Sequence, residues 1–573
     1  MKINEFNWKI GGEAGEGIMV TGLIFAKACA KLGLEVFNYA EYPSRIRGGH
    51  NCYQVKVQDK KPITAEKELD ILVALNKESI NLHLNEMSKD GIIIYDSNLK
   101  DLSINFEGLY PVPMEEIAIK AGGKITKNNV SLGVSAGILD MPLEAINSAV
   151  SKAFRDKGEK VLNMNLAAVK EGYDFVKQNP PKNRNCSINK KDFVKKYVMT
   201  GNEAIALGAI KAGLKLYAAY PMTPASSILH FLAPLERKYR ILVKHTEDEI
   251  AAILTAIGAS FAGIRSMAAT SGGGFSLMTE ALGMAGITET PLVIAECMRP
   301  GPSTGMPTWT EQGDLRFVIH ASQGDFIRVV LTPGDISEAY HLIQLSFNLA
   351  EKYQIPVILL SDKFLSESSE SIDDLKHLDL PKERGKRLKE VPQDYKRYDL
   401  CIEDGISWRA LPPNPNGMHL ANSDEHDEYG LVTEESDLRI KMVNKRMKKL
   451  ELIKKELPKP GIYGDEQPPI SFIGFGSVKN PILKAMEYLE KEGIKTNYLH
   501  CLCPHPFVSE HYISFVKNAK RLICIENNYS GQFAGILQEN LQMEIKEKLL
   551  KYDGRPFFPD EIVEYVKKGG LEK

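Results

Sequence analysis

Four short segments of the chain carry residues that could bind a charged small molecule. They span residues 220–227 (YPMTPASS), 245–249 (HTEDE), 270–274 (TSGGG) and 299–308 (RPGPSTGMPT). Three of them directly follow a predicted strand, and the HTEDE segment directly precedes an apolar helix. Ligands of open α/β sheets bind at the carboxyl ends of the strands. Each segment alone is also typical of an ordinary turn, but together they favour a binding site at one sheet edge.

The HTEDE segment offers a carboxylate suited to proton sharing. Glu247 and Asp248 are explained by the favourable interaction of acids with a helix N-terminus. Glu249, however, borders the apolar face of the helix that runs to about residue 264. Partial desolvation there raises the pKa of a carboxyl group and allows it to share a proton with a ligand.

The other segments offer groups for an anionic ligand. Arg299 is held in a loop of prolines and glycines, as expected of a fixed clamp for a carboxylate. Thr223 presents a hydroxyl on backbone that Pro221 and Pro224 restrict. The alternatives are a surface arginine and a helix start capped by a hydroxyl, which is the commoner role of such a residue.

A glycine-rich turn near the start of the chain is a second candidate site for an anion. Gly11–Gly17 (GGEAGEG) lies between a strand and a helix, where phosphates often bind. The glycine spacing is not GxGxxG, and Glu13 and Glu16 would repel a diphosphate. Arg45 and Arg47 follow in SRIRGGH and could bind a phosphate or carboxylate. A tight structural turn and two solvated arginines explain both segments equally well.

Alternating strands and helices predict three α/β blocks with parallel sheets. The first reaches about residue 182, with strands at 6–10, 36–39, 52–57, 71–74 and 91–95 and helices at 19–31 and 78–87. The second covers 195–380, with strands at 216–219, 266–269, 292–297, 326–331 and 357–360 and helices at 203–212 and 336–351. The third covers 468–573, with strands at 470–473, 496–499 and 521–525 and a helix at 481–492. A linker at 183–194 and an irregular excursion with a charged helix at 381–467 separate them.

Composition excludes several classes of protein. The 573 residues are 43% hydrophobic and 25% charged with a net charge of −2, which is ordinary globular usage. No basic excess indicates nucleic acid or a membrane surface. No stretch reaches the 18 apolar residues of a spanning helix, and no signal peptide is evident. Eight cysteines without a CxxC pair predict a reducing, cytoplasmic setting and neither an iron–sulfur cluster nor a metal site in this chain.

At these residues the sequence resembles the fused gamma–alpha subunits of the 2-oxoacid:ferredoxin oxidoreductases. The resemblance extends over nearly the whole chain. It rests on the segments YPMTPASS, HTEDE and RPGPSTGMPT, and further on EDGISWRALP (403–412), NSDEHDEYG (422–430) and IENNYSGQFA (525–534), with GGEAGEG and SRIRGGH matching the gamma part.

The resemblance implies roles for the blocks and for individual residues. Residues 1–182 would form a gamma domain near the coenzyme A path, 195–380 the domain that binds the aminopyrimidine of thiamine diphosphate, and 468–573 a transketolase C-terminal-like domain. Glu249 would be the catalytic glutamate on that ring. The other implied residues are Tyr220 and Pro221 at the pyrimidine, Thr223, Arg299 and Thr308 at the 2-oxoacid, and Gly15, Gly17 and Arg47 at coenzyme A.

Missing motifs imply a partner. The chain has no GDG motif followed by an asparagine for magnesium and diphosphate, and no cysteines for a [4Fe-4S] cluster. In the family both belong to a separate beta subunit, so catalysis is expected only in a complex, and a dimer of alpha–beta heterodimers would follow the family. The loop Asp424–Glu428 resembles a metal cluster, but we expect it to reach toward the site or the partner subunit.

The implied reaction is coenzyme A-dependent oxidative decarboxylation of a 2-oxoacid, with electrons passed to ferredoxin, or its reverse. The fused two-subunit layout favours 2-oxoglutarate; pyruvate and branched-chain oxoacids remain open. A non-catalytic scaffold of the same fold would be expected to lack Glu249 or Arg299, and both are present. The hypothesis of a nicotinamide-dependent dehydrogenase rests only on the glycine-rich turns, and their glycine spacing does not match the GxGxxG motif of such enzymes.

Overall fold

The computed structural model describes residues 1–44, 48–61, 63–100, 102, 104–189 and 196–569. The chain divides into two compact units. The first comprises Met1–Thr200, Ser368–Asp374 and Phe558–Glu561, and the second comprises Gly201–Glu367, Leu375–Phe557 and Ile562–Lys573. Within the described ranges, no helix combines the length and the apolar character that a membrane span requires.

The first unit alternates strands with helices. Its strands are β1 (Lys2–Ile3), β2 (Phe6–Glu13), β3 (Glu35–Glu41), β4 (His50–Gln58), β5 (Leu69–Ala74), β6 (Met87–Asp96), β7 (Leu109–Val112), β8 (Cys186–Ser187) and β9 (Tyr197–Thr200). Its helices are α1 (Ile18–Lys31), α2 (Lys77–His83), α3 (Met114–Lys120), α4 (Lys127–Ile138), α5 (Leu143–Phe154) and α6 (Glu159–Gln178). The core contains Trp8 stacked on Phe25, with ring centroids 4.3 Å apart.

The main sheet of this unit is mixed rather than wholly parallel. In the described residues its strand order is β7-β6-β5-β2-β4-β3, followed by Ser369–Ile372 (β16 in chain order) and β9. Strands β2, β5 and β6 run parallel as predicted, and β7, which was not predicted, continues this parallel part. Strand β4 is antiparallel to both β2 and β3. Only residues 42–49 connect β3 to β4, and a parallel pair needs a crossover of roughly a dozen residues or more.

One local prediction for this unit is wrong, and one short strand was not predicted. The helix predicted over 78–87 ends at His83, and Met87 begins β6 because it pairs with Leu69 of β5. The predicted linker contains β8, which pairs in parallel with β1 at the start of the chain. Both misses come from pairing between segments distant in sequence.

The second unit contains two further sheets. Its strands are β10 (Leu216–Ala219), β11 (Leu242–His245), β12 (Ser266–Thr270), β13 (Leu292–Met298), β14 (Val329–Leu331), β15 (Pro356–Asp362), β17 (Gly461–Gly464), β18 (Ile470–Phe475), β19 (Thr496–Cys501), β20 (Leu522–Glu526) and β21 (Glu547–Leu550). The helices are α7 (Gly201–Ala212), α8 (Ser226–Leu232), α9 (Glu236–Tyr239), α10 (Glu249–Phe261), α11 (Gly272–Ile287), α12 (Leu315–His320), α13 (Ile336–Tyr353), α14 (Lys363–Glu367), α15 (Ser436–Glu456), α16 (Lys479–Lys491), α17 (Ile513–Asn518), α18 (Gln532–Leu541) and α19 (Pro559–Lys567), whose first three residues are assigned to the first unit.

The first of these sheets is wholly parallel and positions the candidate site. Its described strands have the order β11-β10-β12-β13-β15-β14. The chain moves from β10 to β11 on one side and then crosses to β12 on the other. The strand order therefore reverses between β10 and β12, which is where open α/β sheets bind ligands.

The second sheet has the order β17-β19-β18-β20-β21 in the described residues, with only β17 antiparallel to its neighbour. Helix α15 precedes it, close to the charged helix predicted from the sequence. Residues 381–435, all of them described, contain turns, isolated bridges and one short 3₁₀ turn at Pro415–Gly417. The α/β fold class is confirmed.

Candidate active site

The predicted segments come together at the carboxyl edge of the parallel sheet. The segment YPMTPASS follows β10, HTEDE begins at the end of β11, TSGGG follows β12, and RPGPSTGMPT follows β13. A cavity of about 600 Å³ opens there. Its lining contains Met222, Gly272, Gly273, Ser276, Arg299, Gly301, Pro302, Ser303, Thr304, Asp314 and Phe317.

Glu249 is the first residue of α10 and is held by the local structure. The carboxylate of Asp248 caps the helix, accepting a hydrogen bond of 2.8 Å from the Ala251 amide. Glu249 itself is 3% exposed, and among the described residues no group donates to its Oε1. Burial raises the pKa of Glu249, and the negative charge of Asp248 adds to the effect. A buried carboxyl oxygen without a partner is expected where a ligand supplies one.

Gly274 of α11 makes room for this carboxyl group. A Cβ added to Gly274 would overlap Thr270 Oγ1 and lie 2.6 Å from Glu249 Oε1. We expect Gly274→Ala to displace Glu249 and to destabilise the fold by about 1–3 kcal/mol through overpacking. Gly258 in α10 is the control, because a Cβ there meets no atom within 4 Å. Gly258→Ala should stabilise the protein by about 0.5–1 kcal/mol. Thermal melts compare the two, and equal melting temperatures would contradict the expectation.

Arg299 lines the cavity, and its guanidinium makes only some of the hydrogen bonds that it could donate. Its Nη1 donates to the carbonyl oxygen of Thr223 at 2.8 Å. In the described chain, its buried Nε has no hydrogen-bond partner. Burial lowers the pKa of Arg299, while the nearby carboxyl groups of Asp314 and Glu296 oppose that shift. The hydrogen bond to Thr223 fixes the orientation of the guanidinium, so its remaining N–H groups are available to bind a carboxylate.

The other predicted residues occupy the same loops with differing contacts. Thr223 contributes its carbonyl oxygen to Arg299, and its neighbour Met222 lines the cavity. Tyr220 is 40% exposed, with its ring 6.2 Å from that of His245. Pro221 is half-buried beside it. Thr308 is buried away from the cavity lining, and its hydroxyl has no hydrogen-bond partner in the described residues.

A carboxyl pair at the cavity escaped sequence reasoning. Glu296, near the end of β13, is fully buried, and burial next to Asp314 raises the pKa of Glu296 well above its usual range. Burial also raises the pKa of Asp314 to about 6. Two neighbouring carboxyl groups cannot both ionise cheaply, so burial and the Asp314 charge favour the protonated form of Glu296, whose two oxygens have no hydrogen-bond partner among the described residues. The sequence signal for this pair was Glu296 itself, the single acidic residue in the apolar strand segment LVIAECM.

The segment IENNYSGQFA (525–534) holds the end of the loop that follows β13. The Asn527 amide donates to Gln312 Oε1 at 2.9 Å, and the Gln312 amide donates back to the Asn527 carbonyl at 2.7 Å. The side chain of Gln312 also donates to the Phe475 carbonyl at 2.9 Å. These bonds tie the end of the loop after β13 to β18 and to the residues after β20.

Ion pairs bind the acidic loop 424–428 to the rest of the unit. Glu425 pairs with Arg446 of α15 at 2.8 Å, and Glu428 pairs with Lys396 at 2.9 Å. His426 is fully buried against the Tyr398 ring, at 4.2 Å between centroids. These partners explain the charges without a metal ion, and the predicted reach of the loop toward the site or a partner stays a prediction.

The glycine-rich turn in the first unit is tight and partly filled by its own side chain. Gly15 and Gly17 have φ of 101° and 77°, values that strongly favour glycine. Glu16 Oε2 accepts a hydrogen bond of 2.8 Å from the Glu13 amide. Among the described residues, α1 has no side-chain cap. Arg47 lies outside the described residues.

Comparison with known proteins agrees with this geometry. Residues 207–445 match the family model "Pyruvate flavodoxin/ferredoxin oxidoreductase, thiamine diP-bdg", and residues 7–175 match "Pyruvate ferredoxin/flavodoxin oxidoreductase". The alpha subunit of 2-oxoacid:ferredoxin oxidoreductase 2 from Aeropyrum pernix is 33% identical over 98% of this chain and 97% of its own length. A 2-oxoglutarate oxidoreductase subunit KorA from Mycobacterium tuberculosis is 26% identical over 98% of this chain and 90% of its own.

A solved structure matches along the whole chain. It is a 2-oxoglutarate:ferredoxin oxidoreductase from Magnetococcus marinus with 2-oxoglutarate, coenzyme A and succinyl-CoA bound. The match has a TM-score of 0.92 at 33% identity and covers 99% of this chain and 100% of the other. With a domain that matches the thiamine diphosphate-binding family model and full-length relatives at 33% identity, this chain belongs to the alpha subunits of the 2-oxoacid:ferredoxin oxidoreductases.

Proposed function

We propose that this subunit acts on 2-oxoglutarate, which its enzyme oxidatively decarboxylates to succinyl-CoA and CO₂, passing electrons to ferredoxin or running in reverse. The support is the full-length likeness to the Magnetococcus marinus enzyme, described with that oxoacid bound, and to a subunit named for 2-oxoglutarate oxidation. Its Mg²⁺ and [4Fe-4S] cluster are proposed to reside on a beta subunit, in a dimer of alpha–beta heterodimers.

Glu249 is the proposed contact with the aminopyrimidine of thiamine diphosphate. The buried, unpaired Oε1 fits a ring nitrogen that shares a proton with it. When bound, thiamine diphosphate would supply the nucleophilic carbon chemistry of the reaction. Glu249 would hold the proton at the pyrimidine, and Tyr220 and Pro221 would border the ring. This buried carboxyl group at the strand-order reversal is the observation that carries the proposal.

Arg299 is the proposed partner of the oxoacid carboxylate. Its Nη1 is anchored on Thr223 at 2.8 Å, which orients the fork toward the cavity. The hydroxyl of Thr308, buried and without a partner in the described residues, would turn to the substrate in the complete complex. In the first unit, Gly15 and Gly17 are proposed to border coenzyme A, together with Arg47.

Co-expression with a candidate beta chain tests the function. The anaerobic complex is assayed for coenzyme A-dependent reduction of ferredoxin with 2-oxoglutarate, pyruvate and a branched-chain oxoacid. We expect the highest kcat/KM with 2-oxoglutarate. A preference for another acid would overturn the proposed substrate. No reduction with any acid, from a brown complex loaded with thiamine diphosphate, would overturn the proposed activity.

We expect substrate binding to depend on pH, because the Asp314 carboxyl group at the cavity loses its proton as the pH rises. Its pKa of about 6 means that raising the pH through 6 adds a negative charge beside Arg299. We therefore expect KM for the anionic oxoacid to rise over this interval, and Asp314→Asn to flatten the rise. Glu311→Gln is the control: the pKa of Glu311 is raised to about 7, but the residue does not line the cavity. An unchanged slope in Asp314→Asn would contradict the expectation.

A further inference from the structure

A compact group of nitrogen and sulfur side chains lies in the first unit and plays no part in the proposed function. His50 and Cys52 are alternate residues of β4 and therefore share one face of the sheet. His83 ends α2 and approaches that face. One potential ligand atom from each of the three residues lies within 4.8 Å of the others, and no other such group occurs in the described residues.

Neighbouring residues orient the imidazoles. His83 Nδ1 lies 2.8 Å from Glu86 Oε2, which leaves Nε2 of the same ring 2.8 Å from His50 Nε2. A carboxylate on the remote nitrogen is the usual partner of a metal-binding histidine. Gly11 lies opposite Cys52 on β2, and a Cβ there would be 2.9 Å from His50 Cε1. The glycine therefore leaves the space that the His50 ring occupies.

The charges around the group can accommodate a dication. Lys9 lies 2.6 Å from Glu86 and 3.5 Å from His83 Nδ1, and Glu41 is paired in register with Cys52. With a neutral thiol, these two carboxylates and one ammonium sum to −1. A divalent ion that displaces the thiol proton to solvent brings the sum to zero, so Lys9 balances the thiolate rather than excluding the metal.

We propose that His50, Cys52 and His83 bind one divalent transition-metal ion, with zinc as the best fit. Imidazole nitrogen and thiolate sulfur are both ligands that zinc binds in proteins, and cobalt binds the same donors. Cys52 and His83 are buried while His50 is only half-buried. The fourth position lies with solvent on the His50 side, and the ion enters by that route.

The cysteine spacing predicted no metal site in this chain, and the proposed site contradicts that prediction. Cysteine motifs detect zinc sites whose ligands are close in sequence. Here His83 lies far from His50 and Cys52 along the chain and is brought in by α2. The fold, not a motif, assembles the donor set.

Cobalt binding to the full-length chain tests the proposal. The purified protein is treated with a chelator, dialysed and titrated with Co²⁺. We expect one equivalent to bind, with a thiolate-to-cobalt charge-transfer band in the near ultraviolet and the visible bands of tetrahedral cobalt. Cys52→Ser should lose the charge-transfer band, and His83→Gln should weaken the visible bands. Cys401→Ser is the matched control, because Cys401 is exposed and distant in sequence, and it should retain the full spectrum.

A second set of measurements tests whether Glu86 orients His83 for metal binding and whether each variant is folded. Glu86→Gln should weaken cobalt binding by about 10- to 100-fold, as loss of an outer carboxylate does. Circular dichroism establishes that each variant is folded before its spectrum is compared. Folded wild-type protein that binds no cobalt would instead indicate a metal-free, hydrogen-bonded histidine pair and overturn the proposal. So would a charge-transfer band unchanged in folded Cys52→Ser. Neither readout depends on enzyme activity.

Discussion

Glu249→Gln in the reconstituted complex is expected to lower kcat by about 100- to 10,000-fold, the range of a lost acid–base group. The substitution keeps the size of the side chain but removes its ability to accept and return a proton. Glu249 starts α10, and Asp248 provides the cap, so the helix itself should be unaffected. The measurement is steady-state reduction of ferredoxin with saturating oxoacid and coenzyme A.

Glu247→Gln is the matched control for this loss. Glu247 is the same residue type two positions away, but it is exposed, so its variant should retain wild-type turnover. Calorimetry of thiamine diphosphate binding to the complex separates affinity from chemistry. A folded Glu249→Gln complex that binds the cofactor and turns over within about threefold of wild type would refute the proton-sharing role.

The edge of the parallel sheet could be predicted because its signals are local. Strands β10, β12 and β13 are apolar runs bounded by Gly, Pro or polar turn residues, and their predicted bounds agree with the structure to within one residue. Parallel strands with helical crossovers place all their carboxyl ends on one edge. The convergence of three of the four segments therefore followed from strand assignment, whereas β11, which leads into the HTEDE segment, was not predicted.

Long-range contacts were beyond this reasoning. The pairing of Glu296 with Asp314 depends on how the loop after β13 folds back, and no periodicity encodes that path. The same holds for β8 against β1 and for β4 running antiparallel to β2. Two contacts of the loop after β10 were likewise not predicted: the Thr223 carbonyl accepts a hydrogen bond from Arg299, and Met222 lines the cavity. The role of the Thr223 hydroxyl at the substrate stays a prediction.

Arg299→Ala is expected to raise KM for the oxoacid, lowering kcat/KM by about 10- to 100-fold, the equivalent of a charged hydrogen bond of roughly 1.5–3 kcal/mol. The loss should fall mainly on KM because a carboxylate clamp acts in the ground state and the transition state alike. Removing the guanidinium also leaves the Asp314 charge unopposed by Arg299, and this charge repels the substrate further. Initial rates over a range of oxoacid concentrations measure the effect.

Arg299→Lys separates charge from geometry. Lysine keeps the positive charge but loses the planar fork, so it cannot hold the Thr223 carbonyl and a carboxylate bidentately together. We expect its KM to lie between those of wild type and Arg299→Ala, whereas Arg237→Ala, at an exposed position of α9, should leave KM unchanged. If Arg299→Ala instead lowers kcat with KM unaltered, the guanidinium acts only in the transition state. The anchoring of Arg299 on Thr223 would then orient the reacting atoms rather than recognise the substrate carboxylate.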